Sequence, residues 1–457
     1  MTSRHIKFCR ACIFALLALW TTQVTLAQTG NPFRNNSVGG ISIDTNGVVA
    51  NADPESHALV LREMRENFNP ASPKMAASTE LRMISLRGLE AAIADAVQNN
   101  QGALPDEVKY LAGLQRIQYI LVYPEINDII LAGPGEGWKI DDNLHVVGVT
   151  TGMPVLQLDN LLTALRAVNA PQPQRISCSI DPTQQGVANY AAKLKQLSRA
   201  GVRNPRILAP QLKQAMGNQV VSINGVPGSS HFARVMLAAD IRMKQIAMEI
   251  NGHGSKVRPG FISGARNSVS ITNPNINPRW GLACNYKSVA TDGQGLAWEI
   301  RGQGVKAMTE TEAFQGNNGP AKAQQQDPAA QKWADMMTDR YDDLSKADPV
   351  FGELRNIMDM CVAAAIIRSN SLLDQADLEL PHLLATTKTI SHLSWFTPKH
   401  VSTETSFINS SRGLVVTASG GVDIDYLAPL KDPKVTAQVK LVWDKVHAKT
   451  ASMSWWN

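Results

Sequence analysis

Apolar and polar residues alternate near the start of the chain in a pattern typical of a β-hairpin. The stretch GGISID, residues 39–44, is followed by Asn46-Gly47 and then by the apolar stretch VVANA. Asn-Gly between two apolar runs is a strong hairpin signal, because both residues accept a positive φ. Apolar residues at helical spacing then predict helices over about 55–67 and 82–98.

The middle of the chain alternates predicted strands with predicted helices. Two apolar runs, IQYILVYP and DIILAGP, are separated by residues 125–128, which predicts a second hairpin. Strands and helices follow in the order β-β-β-α-β-α-β-α, and residues 267–308 hold short strands broken by Asn, Pro and Gly. This order favours a mixed sheet with helices on one or both faces, followed by an extension of short strands.

A segment without apolar periodicity, residues 315–331, separates that region from a helical part. Its Gln, Ala, Asn, Gly and Pro content is typical of a linker. Apolar residues at helical spacing predict helices over 331–347 and 350–369. A β-hairpin that turns at residues 411–413 is expected after them.

We therefore predict an α+β fold with a mixed sheet core, flanking helices, a short-strand extension, a helical second lobe and a C-terminal β-hairpin. After the first 27 residues, we expect an N-terminal part with a hairpin and helices at 28–112 and a mixed core at 113–314. A linker at 315–331 and the helical lobe with its hairpin at 332–457 follow.

One six-residue pattern occurs twice, as GGISID at 39–44 and as GGVDID at 420–425. Both copies place two glycines before an alternating strand that ends in Asp. We expect the two copies to be edge elements of one small sheet, or of two equivalent hairpins, that join the chain ends. The alternative is chance recurrence of a common pattern. A separation of Ile43 and Ile424 beyond two strand spacings would exclude the joined ends.

The first residues resemble an export signal. Three basic residues precede the apolar run ACIFALLALW, and the small-residue stretch TLAQ follows it, so cleavage is expected after Ala27. The apolar run of roughly ten residues is half the length that spans a bilayer. We expect an exported protein, periplasmic or secreted, without a transmembrane segment after cleavage.

Removing residues 1–27 takes away three basic residues and no acidic ones, so the formal charge falls from +5 to +2. The remaining chain has no basic stripe of the kind that binds a phosphate backbone, so a nucleic-acid partner is not expected. Cys9 and Cys12 lie in the same leader. The other three cysteines, Cys178, Cys284 and Cys361, are expected to be small buried side chains.

Motifs for cofactors and metals are not found in the sequence. The glycines of LAGPGEGW, residues 131–138, lack the spacing of a dinucleotide fingerprint, and no apolar helix follows them. We expect a tight turn there. The histidines are scattered and no pair has a metal-binding helical spacing, so neither a metal nor a cofactor is predicted.

The most informative segment is SSHFARVMLAADIRMKQIAMEIN, residues 229–251, whose apolar residues fall on one helical face. Ser229 or Ser230 can cap this helix, and Asp240 with Lys244 forms an i, i+4 ion pair. One interpretation is a site where Ser230, His231 and Arg234 open onto a pocket and bind an anion. The other is an amphipathic helix with a solvated polar face.

A thiol nucleophile is a further candidate. Cys178 lies at the end of a predicted strand and before a helix, with His231 or His253 as the conceivable base. The alternative is a buried strand cysteine, which is common in sheet cores.

Five stretches resemble an uncharacterised family of exported planctomycete proteins known only as a domain of unknown function. They are RIQYILVYPEINDIILAGPGEGW, HFARVMLAADIRMK, GLAWEIRGQGVK, PVFGELRNIMDM and TASGGVDID, and the resemblance covers about residues 110–427. The family pattern has an aromatic residue where this chain has Ile241, which argues against ring stacking there. The resemblance implies export and supplies no activity.

Two functions remain as hypotheses. The first is a non-enzymatic scaffold or binding module of the envelope or extracellular space, whose partner is an unknown protein or envelope component. The second is a hydrolase of unfamiliar type, with a site around His231, Arg234 and Asp240 and with Cys178 as a further candidate. A pocket that gathers these side chains favours the hydrolase, and a flat solvated helix face favours the scaffold.

Overall fold

The strands and helices described below are those of a computed structural model. It describes residues 40–99, 102–250, 260–265, 275–276, 279–309, 328–385, 395–408, 414–450 and 454–457. The proposed leader and its cleavage site, most of the proposed linker, the hairpin turn at 411–413 and His253 lie outside these residues.

The strands are short, with lengths of two to eight residues. In chain order they are β1 (Ile41–Ile43), β2 (Val48–Asn51), β3 (Thr79–Ser85), β4 (Tyr119–Tyr123), β5 (Asp128–Gly135), β6 (Trp138–Ile140), β7 (Val146–Gly148), β8 (Ile176–Pro182), β9 (Asn218–Asn224), β10 (Asn275–Ile276), β11 (Arg279–Asn285), β12 (Ala290–Thr291), β13 (Ala297–Glu299), β14 (Gly304–Thr309), β15 (His400–Ser402), β16 (Thr405–Ile408), β17 (Leu414–Thr417), β18 (Ser419–Ile424) and β19 (Lys434–Val435).

The α-helices range from single turns to 21 residues. In chain order they are α1 (Pro54–Glu66), α2 (Pro73–Ala76), α3 (Leu86–Asn99), α4 (Asp106–Lys109), α5 (Leu158–Asn169), α6 (Gln184–Arg199), α7 (Pro205–Met216), α8 (His231–Ala247), α9 (Phe261–Ala265), α10 (Pro328–Asp339), α11 (Tyr341–Ala347), α12 (Pro349–Ser369), α13 (Leu372–Gln375), α14 (Pro381–Leu384) and α15 (Ala437–Thr450).

An eight-stranded mixed sheet forms the larger layer, with strand order β1-β2-β15-β9-β8-β18-β11-β14. Two neighbouring pairs, β2 with β15 and β11 with β18, are parallel, and the others are antiparallel. The predicted hairpin at Asn46-Gly47 is confirmed, because β1 and β2 pair with Ile43 opposite Val49. The predicted α+β fold class is confirmed as well.

The two copies of the double-glycine pattern share this sheet but do not lie side by side. β1 is at its edge, whereas β18 is the sixth strand, five strand spacings away. The joined-ends hypothesis is therefore wrong, and so is the assignment of the second copy to an edge. The glycines also serve different purposes. Gly40 has φ of +76°, while a Cβ at Gly420 would lie 1.8 Å from the carbonyl oxygen of Trp280 on the adjacent strand.

A six-stranded sheet, in the order β19-β12-β13-β4-β5-β3, forms a second layer. The predicted hairpin around residues 125–128 is confirmed by the antiparallel pairing of β4 with β5. The helix predicted over 82–98 begins four residues later, at Leu86, because residues 82–85 belong to β3 and pair with β5. Of the strands that the structure describes within 267–308, β11 and β14 join the larger sheet, β12 and β13 join the smaller one, and β10 pairs with β17 in a separate three-stranded sheet.

The two longest helices, α8 and α12, are packed in the interior of the protein rather than on its surface. Every residue of α12 from Pro349 to Ile367 is buried, and α12 contacts α5 and α8. The single helix predicted over 331–347 is two helices, α10 and α11, which meet at Arg340. The described residues belong to one compact unit of the chain, residues 35–457. The division at residues 112, 314 and 331 stays a prediction.

Other predictions concern the C-terminal hairpin and the membrane. β16 and β17 pair antiparallel, which confirms the hairpin although its turn is outside the described residues. Within the described ranges, helices of sufficient length and apolar character to cross a bilayer are not found.

Candidate functional site

Helix α8 carries most of the candidate residues, and its sequence determines where it begins. Ser230 is the N-cap: its Oγ accepts a hydrogen bond of 3.1 Å from the backbone N–H of Ala233. The same hydroxyl donates to the carbonyl oxygen of Pro227 at 2.6 Å. A capping hydroxyl satisfies one of the N–H groups that a helix start leaves unpaired. Of the two candidate serines in the sequence, Ser229 and Ser230, it is therefore Ser230 that caps the helix.

The polar side of α8 is not solvated. All its residues from Phe232 to Ala247 are buried except Arg242. The helix packs on β8, β11 and β18 with one side and on α5 and α12 with the other. The expectation of an amphipathic helix with a solvated polar face is therefore wrong, because both sides are covered by other elements.

At the N-terminal end of α8, His231 and Arg234 lie under Trp395. The Nδ1–H of the half-buried His231 donates a hydrogen bond of 3.1 Å to Oδ1 of Asn160. Burial lowers the pKa of His231, against the opposing charge of Glu353. The guanidinium carbon of Arg234 lies 4.3 Å from the ring centroid of Trp395, a cation–π contact. Burial lowers the pKa of Arg234 to about 10.

A buried histidine–carboxylate pair lies near this end of the helix. Nδ1 of His145 donates to Oε1 of Glu353 at 2.9 Å, and both side chains are almost fully buried. Burial disfavours the charged imidazole, but the Glu353 carboxylate outweighs it and raises the pKa of His145 to about 9. The His145 charge holds the pKa of Glu353 below its usual range, although burial opposes it. Sequence reasoning missed this pair, which joins residues 208 positions apart.

Two turns further along, the predicted ion pair of Asp240 with Lys244 is confirmed. Lys244 Nζ donates to Asp240 Oδ2 at 2.7 Å, and the Asp240 side chain is fully buried. Burial raises the pKa of the Asp240 carboxyl, and the ammonium of Lys244 opposes that rise. Oδ1 of Asp240 accepts no hydrogen bond from any residue that the structure describes.

Cys178 lies in the middle of β8, where it faces Val422 of β18 and Ile223 of β9. It is buried, and burial together with the Asp240 charge raises the pKa of its thiol. A thiol is a nucleophile only as thiolate. Burial first, and the Asp240 charge second, therefore disfavour the reactive thiolate form of Cys178. Cys361 is also buried and Cys284 is half-buried, and all three are free thiols.

The candidate residues do not converge. His231 and Asp240 are nine residues apart on one helix, which is roughly 13 Å along its axis. Arg234 is covered by Trp395, and Asp240 is directed toward β18, where its Oδ1 lies 3.3 Å from the position a Cβ would take on Gly420. The structure brings His231 together with Asn160, and it brings Asp240 together with Lys244 and Cys178.

A cavity of about 250 Å³ lies at the C-terminal half of α8, between this helix and the β1–β2–β15–β9 half of the larger sheet. Apolar side chains form much of its wall: Ile41, Val49, Ala50, Ile180, Ile241, Val401 and Ala418. The polar lining residues come from five separate segments: Asn51, Lys213, Gln219, Lys244, Gln245, Ser402 and Glu404. Sequence reasoning missed the cavity, because its lining residues lie far apart in the sequence and α8 was the only one of these segments considered as a site.

The polar groups of the cavity lie at two depths. Lys213 and Glu404, 3.5 Å apart, are partly exposed, with 43% and 34% of their side-chain surface accessible. Lys244 is the inner charge, with 6% accessible. Gln245 Nε2 donates to Asn51 Oδ1 at 3.2 Å, which joins α8 to β2. Such a cavity can hold a small molecule with one polar end and an apolar body.

Residues that could hold a metal are not clustered in the described part of the chain, where no group of three or more His, Cys, Asp or Glu side chains is suitably placed. The cavity lining contains neither histidine nor cysteine. Its chemistry is therefore that of an ammonium, three amides, a hydroxyl and a rim ion pair.

Comparison with known proteins identifies one region. Residues 178–259 match the model of a family described as protein of unknown function (DUF1598). The described part of this match runs from Cys178 through α6, α7 and β9 to α8, so it includes Lys244 and much of the wall around it. The search of curated proteins and the search of solved structures returned no match.

Proposed function

We propose that this chain is an exported, non-enzymatic binding protein that holds a small molecule in the α8 cavity. The observation that carries the proposal is the cavity itself, which combines apolar walls with a buried lysine and three amide side chains. Concave sites with apolar walls and a few placed polar groups are the usual form of small-molecule sites. Part of the cavity lies in the domain of unknown function at residues 178–259.

Export is the second part of the proposal. The basic residues before ACIFALLALW and the small residues after it support export to the periplasm or the exterior, with cleavage after Ala27. The resemblance to exported planctomycete proteins supports the same location. In that setting the bound molecule, or a protein that receives it, belongs to the envelope or extracellular space.

The placement of the hydrolase candidates favours binding over hydrolysis. A hydrolase of this kind needs its nucleophile and base within hydrogen-bond reach. His231 and Asp240 are separated along the helix, and Cys178 lies beside Asp240 in the sheet. His231 is engaged with Asn160, and its other neighbours are the Trp395 ring and charged groups of the interior.

The first experiment tests location and activity together. The full chain is produced with its leader, and the mature N-terminus is sequenced; a start at Gln28 is expected. The mature protein is then assayed on ester, peptide and glycoside substrates beside its His231→Ala and Cys178→Ala variants. Turnover by the wild type that either variant abolishes would overturn the proposal in favour of a hydrolase.

The second experiment tests occupancy of the cavity. Native mass spectrometry of the mature protein should show a retained small molecule, or a screen of small metabolites should raise the melting temperature. Ala418→Leu, which adds volume to the cavity wall, should reduce either signal. As matched control, Ala200→Leu places the same change on an exposed residue after α6 and should leave the signal unchanged. Equal signals from both variants would place the bound molecule elsewhere.

A further inference from the structure

The protein satisfies only part of the hydrogen-bonding capacity of Lys244, the inner charged residue of the cavity. The Lys244 ammonium has three N–H donors, and one of them is taken by Asp240 Oδ2 at 2.7 Å. Among the described residues, no other acceptor receives a hydrogen bond from this ammonium. A buried donor without a partner is costly, since the desolvation of a charged group is not repaid. Two donors at the wall of the cavity are therefore available to an acceptor that enters it.

The two members of the Asp240–Lys244 ion pair lie on different sides of the cavity wall. Lys244 lines the cavity, whereas Asp240 does not and lies toward β18 on the other side. The cavity is thus adjacent to the positive member of the pair. At the mouth, Lys213 and Glu404 are opposite charges 3.5 Å apart, so the rim adds no net charge. A molecule in the cavity therefore meets the positive end of a neutral ion pair, which favours a hydrogen-bond acceptor or an anionic group over a cation.

A second donor group lines the same cavity, on the exposed side chain of Asn51. Asn51 Oδ1 accepts the hydrogen bond of Gln245, which leaves the Asn51 amide N–H₂ without an acceptor among the described residues. Asn51 and Gln245 both line the cavity. An ammonium and an amide N–H₂ can each donate to one oxygen of a carboxylate, and hydrogen bonds to a charged acceptor are the stronger ones.

The walls limit the rest of the ligand. A cavity of 150 Å³ lined by apolar residues holds benzene, which has six non-hydrogen atoms, so about 250 Å³ suits a molecule of roughly ten non-hydrogen atoms. Ile41, Val49, Ile180 and Val401 offer no hydrogen-bonding side-chain atoms to a sugar. A phosphate monoester would bring a charge near −2 to a single interior cation. Both of these ligands suit the lining less well.

We propose that the cavity binds a small monocarboxylic acid with a compact apolar body. Its carboxylate accepts hydrogen bonds from Lys244 and Asn51, and its aromatic or branched aliphatic part packs on the apolar walls. Asp240 is a positioning residue that holds the ammonium at the cavity wall. This inference rests on the proposed binding function and adds the chemical class of the ligand.

Isothermal titration of the mature full-length protein tests the charge. The probes are acetate, hexanoate, benzoate and phenylacetate, each beside its neutral amide. We expect benzoate or phenylacetate to bind at least tenfold more tightly than the matched amide. Lys244→Met, and Asp240→Val with Lys244→Met where the single variant does not fold, should abolish that preference. Lys195→Met, at an exposed position on α6, is the matched control and should retain it.

Ala418→Leu tests the location independently of charge. It should lower the affinity for benzoate at least fivefold and change the affinity for the much smaller acetate by less than twofold. Equal affinity of acid and amide, with both weakened by Ala418→Leu, would overturn the carboxylate inference and leave the binding function standing. A preference for acids that survives removal of Lys244 would overturn the assignment to this lysine. If no probe binds and native mass spectrometry shows an empty protein, the inference and the proposed function are both wrong.

Discussion

Asp240 on α8 and Asp359 on α12 are both fully buried aspartates in the middle of long helices, yet their surroundings differ. Asp359 accepts three hydrogen bonds. Arg116 donates to both of its oxygens, at 2.8 and 2.9 Å, and the Tyr286 hydroxyl donates to Oδ1 at 2.6 Å. Asp240 accepts one, from Lys244, and its Oδ1 has no donor among the described residues.

The difference separates an interaction that holds the fold together from one that is suited to binding. A forked arginine–carboxylate pair with a third donor satisfies nearly every lone pair, so both charges tolerate burial. In the Asp240–Lys244 pair, one carboxylate oxygen and two N–H groups have no hydrogen-bond partner among the described residues. The lysine of this pair lines a cavity. A saturated carboxylate thus marks a structural contact, and an unsaturated pair beside a cavity marks a candidate site.

The largest expected effect is at the saturated carboxylate. Asp359→Ala leaves the Arg116 guanidinium, which is 16% accessible, without its partner. We expect the free energy of unfolding to fall by about 3–5 kcal/mol, the usual cost of breaking a buried pair from one side. Urea denaturation followed by circular dichroism measures it. The matched control is Asp339→Ala at an exposed position of α10, for which a change within about 0.5 kcal/mol is expected. Similar values for the two variants would contradict the contrast.

The next effect concerns the second buried pair, His145 with Glu353, and it is measured through pH. The pKa of His145 rises from 6.5 to about 9 on folding. Because the folded protein binds this proton more tightly, the stabilisation is complete below about pH 6.5 and is lost as the pH rises through 9. The loss is on the order of 3 kcal/mol.

This pH effect is measured as a difference between two proteins. Unfolding free energies at pH 6.5 and 9.5 are compared between wild type and His145→Gln, so that other groups that titrate in this range cancel. The wild type should lose more stability between the two pH values than the variant does. Parallel pH curves would show that the imidazole is neutral in the folded protein.

The smallest effect is expected where both charges of the unsaturated pair are removed. Asp240→Val with Lys244→Met replaces the pair with apolar side chains, and such replacements are often neutral or stabilising. We expect the free energy of unfolding to change by at most about 1 kcal/mol in urea denaturation. A loss of 3 kcal/mol or more would show that this pair stabilises the fold as the Asp359 pair does. It would contradict the contrast between the two aspartates.

Local features of the fold could be predicted because neighbouring residues determine them. Asn46-Gly47 indicated a hairpin, Ser230 was one of two caps offered, and the spacing of Asp240 and Lys244 predicted their ion pair. The start of α3 was predicted four residues early, since the apolar residues of β3 fit a helical period as well as a strand. Periodicity alone does not separate the two in short apolar runs.

The sequence by itself determined the α+β class, the two hairpins near the chain ends, and the N-cap and core-facing apolar side of α8, while the burial of its polar side was decided by the elements packed on it. Only the tertiary structure decided which distant residues meet: Arg116 with Asp359, His145 with Glu353, and the polar residues of five segments around one cavity. It also separated β1 from β18 by five strand spacings despite their shared pattern. The physical reason is that turns, caps and periodicity depend on a few neighbouring residues, whereas strand order and the burial of a charge depend on the packing of the whole chain.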